Sequence, residues 1–305
     1  MKKIFAPLLL LLASIIWGFA FPIQKTIEEI PPMLVIAVRS GIAAVFLFPM
    51  VFLFDRARKN GRRFVSRRGL DLTRNELIGG TLIGVIYGIA SAVQQMGLTE
   101  GTDGGKGAFI SALYVVIVPL IGLFLGRRVR PIVWGGIALS VVGFYLLCVQ
   151  ENFTMQLGDL LILLCAFFFA FHILGVDYYS VKGDGIRMSF VQFIVSTVMM
   201  SVLSLIFEGI PDFSVLLSCI LPLLYLGIAS SGVAYTLQII GQRGTSPAVS
   251  SMLLSLESVF GAIGSVLLLG EKMKPKVAFG CVLVFLAVLL AQFPEKKKTG
   301  EVPEE

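Results

Sequence analysis

The sequence predicts an all-α membrane protein of ten transmembrane helices, arranged as two inverted five-helix repeats. Three observations predict it. The first is composition: the 305 residues are 56% hydrophobic and 14% charged, whereas a soluble domain is about 45 to 50% apolar and about 25% charged. The second is length. Ten apolar stretches reach or approach the roughly 20 residues that a spanning helix needs. The third is an internal copy: residues 82–146 and 226–290 superimpose without a gap at an offset of 144. Gly88, Gln94, Gly97, Gly126, Pro131 and Gly136 thereby meet Gly232, Gln238, Gly241, Gly270, Pro275 and Gly280. Matched glycines, prolines and a glutamine inside apolar runs mark a duplication, and five spans per copy send the second copy into the membrane from the other side.

The segments fall near 5–24, 33–54, 77–98, 107–126, 131–150, 157–177, 187–207, 216–241, 247–269 and 275–293. Lys2 and Lys3 precede the first, which runs on through Trp17 to Pro22 without a small-residue cleavage site and reads as a retained span. Pro31-Pro32 opens the second. Gly80, Gly84 and Gly88 give the third a smooth stripe for close helix approach. Pro131 and Pro275 open the fifth and tenth, and Ser246-Pro247 reads as the cap and first turn of the ninth. The fourth, sixth, seventh and eighth rest on apolar length alone. Continuous apolar runs exclude a barrel, whose strands alternate, so helices remain.

Lysine and arginine set the orientation. With a cytosolic N-terminus, 19 of the 25 basic residues are cytosolic, eight of them in the 55–76 loop, and Arg39 lies inside a span. Both termini are then cytosolic, and Lys272, Lys274 and Lys276 run against the trend. The formal charge of +6 is mostly this topology, so no nucleic acid partner is indicated. Cys148, Cys165, Cys219 and Cys281 lie in or beside apolar segments and read as buried small residues, with neither disulfide nor metal. Asn152-Phe153-Thr154 fits a glycosylation sequon in a short loop close to the membrane. The single histidine, His172, excludes a two-histidine zinc site within the chain. Gly101-Thr102-Asp103-Gly104-Gly105-Lys106-Gly107 is one residue short of a phosphate loop and has no Ser or Thr after the lysine. The chain reads as no enzyme and as needing no cofactor.

Function in a bilayer is sought among polar residues placed where they are costly. Glu257, amid Leu253, Leu254, Leu256, Val259 and Phe260, must face a cavity, find a partner or be protonated. It is either a proton-titrating or substrate-contacting carboxylate, or a link between helices. Arg39, seven residues after Pro32, is an internal ion-pair partner, Glu257 being one option, or a snorkelling anchor. Tyr87, Ser91, Gln94 and Gln95 recur at helical spacing in the third span, as do Tyr235, Gln238 and Gln242 in the eighth. Gln94 and Gln238 are repeat equivalents that would line one cavity from two sides or hold helices together. Trp17, mid-helix and away from the interfacial belt, and His172 are further candidates. Glu257 has Leu113 as its equivalent, so the copies differ where a charge sits.

From about residue 5 to 293 the chain resembles the drug/metabolite transporter superfamily, specifically proteins with two EamA domains. The resemblance rests on Trp17-Gly18, Ala37-Val38-Arg39, Gly105 to Ile110, Leu113-Tyr114-Val115-Val116 and Val118-Pro119-Leu120 in the first half. In the second it rests on Ala234 to Gln238, Ser246-Pro247-Ala248, Leu256 to Phe260 and Leu269-Gly270-Glu271-Lys272. Ser258 stands where many relatives have proline, and Arg127 replaces the glutamate expected after Gly126. The resemblance implies a ten-helix inner-membrane carrier with a central cavity, moving amino acids, other metabolites or drug-like compounds, often outward.

The expected organisation is a first EamA-like repeat at 5–150, a second at 157–293 and a cytosolic polar tail at 294–305. The expected function is secondary-active transport of a small metabolite bound near the bilayer midplane, with the two halves rocking around it and a proton or another ion as coupling partner. Glu257, Gln94, Gln238, Tyr235 and Tyr114 are the expected lining, with Trp17, His172 and Arg39 beside them. A lipid or lipid-linked sugar flippase is the alternative within transport. A membrane scaffold or sensor, with the 55–76 loop as its contact surface, is the alternative outside it.

Overall fold

The structure is a computed structural model, and it describes residues 5–59, 70–102, 104–148, 155–209, 213–270 and 272–292. Among these residues nine helices are long and apolar enough to cross a membrane, and Pro131–Leu146 is a shorter apolar helix. Ten helical rods result. The first (Phe5–Lys25), second (Pro32–Lys59), third (Arg74–Thr99), fifth (Pro131–Cys148), sixth (Leu157–Ser180), seventh (Gly185–Phe207) and tenth (Pro275–Gln292) are continuous. The other three are broken, which the apolar pattern did not predict.

The fourth rod is Gly104–Ala112 followed by Tyr114–Phe124, and the ninth is Pro247–Leu254 followed by Glu257–Leu269. At each break the bonding tightens to one turn of i→i+3 type, with Leu113 N–H donating to Ile110 O at 3.2 Å and Leu256 N–H to Leu253 O at 3.3 Å. The breaks fall at nearly matching places in the two copies. The eighth rod runs Phe213–Ser218, Ile220–Leu224, a π-helical stretch Tyr225–Tyr235, then Thr236–Gln242. Ends are set locally. Thr73 and Glu76 form a capping box on the third helix, and the Asp184 carboxylate accepts from Ile186 and Arg187 N–H on the seventh. Ser246 does take the cap position before Pro247, but its hydroxyl makes no capping bond.

The two copies interlock. The first helix packs on the ninth, and the fourth, its partner's counterpart, packs on the sixth; the third packs on the sixth and seventh while the first and second pack on the eighth. The fifth and tenth, equivalent to each other, form the closest pair. There a Cβ added to Gly136 would lie 2.9 Å from Ala287 O, and one added to Gly143 would lie 3.0 Å from Gly280 O. Residues 136 and 143 map onto 280 and 287 at the offset of 144, so the two contacts are one contact made twice across a pseudo-two-fold axis. Tyr87 and Ser231, also 144 apart, meet at 3.4 Å between side-chain oxygens. The stripe of Gly80, Gly84 and Gly88 faces the seventh helix, where a Cβ on Gly84 would come within 2.6 Å of Gln192 O. The expected polar tail, the sequon, Asp103, Glu271 and most of the basic loop lie outside the described residues.

Candidate functional site

A cavity of about 540 Å³, its mouth included, opens between the two copies. Seven helices line it. Trp17 and Gln24 come from the first, Arg39 from the second, Ser91 and Gln94 from the third, Tyr114 from the fourth. Phe169 and His172 come from the sixth, Ser230, Tyr235 and Gln238 from the eighth, and Glu257 from the ninth. All eight residues expected in the lining or beside it therefore face one space. The helix breaks explain how two of them meet. Tyr114 and Glu257 each open the second piece of a broken rod, and Tyr114 Oη donates to Glu257 Oε1 at 3.0 Å. Tyr114 is 4% exposed and Glu257 8%.

Arg39 is 4% exposed and is held by the π-helical stretch: Nε donates to Ser231 Oγ and Nη2 to Ser230 Oγ, both at 3.0 Å. It forms no ion pair among the described residues, so pairing with Glu257, one of the sequence expectations, is not what the structure has. Both of its hydrogen-bond partners among the described residues are neutral hydroxyls, and the side chain lines the cavity. Trp17 Nε1–H donates to Ser230 O at 2.9 Å, which explains an indole at mid-membrane depth.

Tyr235 is the hub of an aromatic cluster. Its ring centroid lies 4.6 Å from Trp17, 4.7 Å from Tyr87 and 5.6 Å from His172, with the last two edge-on. His172 Nε2 lies 3.4 Å from Gln192 Oε1. Across the axis the copies exchange sizes: Tyr87 meets Ser231, and Ser91, the equivalent of Tyr235, sits beside Tyr235. The two glutamines differ in state. Gln94 Nε2 donates to Ser111 Oγ at 3.2 Å, whereas Gln238 Oε1 has no hydrogen-bond partner among the described residues.

The helical face drawn through Tyr87, Ser91, Gln94 and Gln95 divides. Ser91 and Gln94 line the cavity, while Tyr87 and Gln95 are fully buried behind it. Ser230 and Ser231, the clamp on Arg39, were missed, and their one signal was two adjacent hydroxyls in an apolar segment. Gln24, one residue before the end of the first helix, was missed too. No group of three His, Cys, Asp or Glu among the described residues is placed to hold a metal ion. Arg127, where a glutamate was expected, pairs with Asp177 at 2.6 Å.

A model of the EamA-like transporter family matches residues 4–149 and 156–293. The chain is 29% identical over 293 residues to an uncharacterized transporter of Archaeoglobus fulgidus, covering 95% of this chain and 86% of that one. It is 22% identical over 290 residues to the uncharacterized transporter YoaV of Bacillus subtilis, covering 92% and 94%. A protein of known crystal structure superimposes with a TM-score of 0.72 at 18% identity, over 94% of this chain and 96% of that one, and so shares the fold.

Proposed function

The chain belongs to the EamA-like transporter family, and we propose that it carries a small amphoteric metabolite, of the amino-acid kind, across the cell membrane by alternating access. One observation carries this reading: Arg39 and Glu257, a basic and an acidic side chain supplied by different copies, face one cavity and do not pair with each other. An anionic group on the solute would meet the guanidinium, which has only neutral partners. A cationic group would meet the carboxylate, whose one partner among the described residues is the Tyr114 hydroxyl. The aromatic surfaces of Trp17, Tyr235 and Phe169 would take the apolar part, and the unpartnered Gln238 Oε1 would accept one further hydrogen bond.

Glu257 is the group proposed to bind the coupling proton, since it is the only carboxylate among the lining residues. The lysine and arginine distribution supports cytosolic termini. Outward transport is carried over from the family resemblance. The test is solute counterflow in vesicles containing the purified protein, with a panel of zwitterions, their amides and their deaminated acids. Zwitterions should exchange while both single-charge analogues lag. Equal exchange of the amides would overturn the two-charge reading, and no exchange of any solute would overturn transport of this class.

A further inference from the structure

We propose that the π-helical stretch in the eighth helix is a reversible device, and that the transport cycle passes it to the third helix. This rests on the alternating-access reading. Residues 82–91 and 226–235 belong to copies that align without a gap. The first set is part of a continuous α-helix, Arg74–Thr99, and the second is part of the π-helix Tyr225–Tyr235. An i→i+5 turn takes up one more residue than an i→i+4 turn, so π-helix is usually explained by a residue that the surrounding helix cannot place. Here the copy places the same number of residues without it. Residue count therefore does not impose the π form, and the surroundings select it.

The surroundings are the cavity. The π stretch presents Ser230 and Ser231 to Arg39 and Ser230 O to Trp17, and ends at Tyr235 against Tyr87 and His172. It also brings its backbone against the second helix, where a Cβ on Gly227 would lie 3.1 Å from Arg39 O. Slippage by one residue turns a helix by about 100°. A change from π to α below Tyr235 would thus carry both serine hydroxyls away from the guanidinium while leaving Gln238 in place.

Inverted symmetry supplies the other half. If both copies of an inverted duplicate had one conformation, the two faces of the membrane would see the same protein; a facing state exists because the copies differ. The π stretch is the most extended backbone difference between the matched regions. The oppositely facing state is then the one with conformations exchanged: α over 225–235 and π over 81–91. In that state Tyr87 and Ser91 take the places that Ser231 and Tyr235 hold now, an exchange already prepared by the crossed tyrosine and serine pairs. The third helix is a fit recipient, because Gly84 and Gly88 lack the side chains that would catch on the seventh helix.

The test uses the full chain in liposomes, with its four cysteines replaced by alanine and a single reporter cysteine at Gln24→Cys or Gln238→Cys, towards opposite ends of the cavity. Deleting Ile228 leaves the eighth helix one residue short of what the π form takes up, which favours α there; inserting one alanine after Ile83 gives the third helix one residue more than its α form holds, which favours π there. Each change should shift the ratio of Gln24→Cys to Gln238→Cys labelling by an impermeant maleimide, both in the same direction and by about tenfold or more, as the facing equilibrium moves. An unchanged ratio in monodisperse variants overturns the proposal. If neither variant folds, deuterium exchange of the unaltered chain decides: residues 81–91 should exchange faster than 92–99, and equal protection overturns the proposal. Counterflow by the unaltered chain in vesicles of the same composition separates the readings, since shifted labelling in the variants with no solute exchange by the unaltered chain would refute transport and leave the π exchange standing.

Discussion

Replacing Arg39 by methionine should leave the fold intact and remove solute binding, whereas replacing the serines that hold it should weaken the fold. Nε and Nη2 of Arg39 each donate to one serine hydroxyl at 3.0 Å. A hydrogen bond to a charged group contributes about 1.5–3 kcal/mol, so Ser230→Ala or Ser231→Ala alone should cost that much. The double change should fall short of the sum of the two single changes, because cavity water can solvate the freed side of a guanidinium that lines the cavity. Arg39→Met removes the charge and keeps the length. No carboxylate is orphaned by it, since Arg39 forms no ion pair among the described residues, and the two serines can turn to carbonyls of their own helix. Its cost should stay below about 1.5 kcal/mol. Reversible unfolding in mixed micelles ranks the four proteins, and solute-induced thermal shift reads binding. Loss of folded protein in Arg39→Met, with both serine variants unchanged, would refute the reasoning and make Arg39 a structural anchor.

Glu257→Gln should abolish solute accumulation against a gradient and flatten the pH profile of transport while counterflow persists; unchanged pH dependence would sink a coupling role. Tyr114→Phe removes the one hydroxyl bonded to that carboxylate and should shift the same pH profile without abolishing coupling. The neighbouring glycines 135 and 136 should respond oppositely to alanine. Nothing lies within 4 Å of a Cβ at Gly135, and helix propensity alone should stabilise it by up to about 1 kcal/mol. At Gly136 the tenth helix backbone blocks it, and unfolding assays should show a loss of about 1–3 kcal/mol. Asp177→Asn, which breaks a partly exposed pair with Arg127, should change stability by less than about 1 kcal/mol in the same assay.

The spans were legible because apolar length is a local property, and the duplication was legible because matched glycines and prolines stand out from interchangeable leucines. The breaks in the fourth and ninth rods were not. Leu253 to Ser258 contains neither glycine nor proline, and the contact that holds Ser258 beside the break, its hydroxyl donating to Ala108 O at 3.3 Å, comes from 150 residues away. Without the breaks Tyr114 and Glu257 would read as two residues on separate smooth helices. The partner of Arg39 was equally hidden, since Ser230 and Ser231 lie 191 and 192 residues away. Gln95 shows the limit of helical spacing as a guide: one residue from Gln94, it turns away from the cavity and becomes fully buried.

The interlocked packing of the two copies bears on how such a chain can be cut and rebuilt. The third and fourth helices find their main partners in the second copy, and the eighth and ninth find theirs in the first. A protein severed between 148 and 157 would yield two pieces, each with its glycine-smoothed faces uncovered and each lacking either Arg39 or Glu257. Neither piece would serve alone, yet the two expressed together, one inserted each way up, would present matching surfaces. Chimeras that exchange single helices should fail where whole-copy exchanges succeed, because every seam is written in both halves.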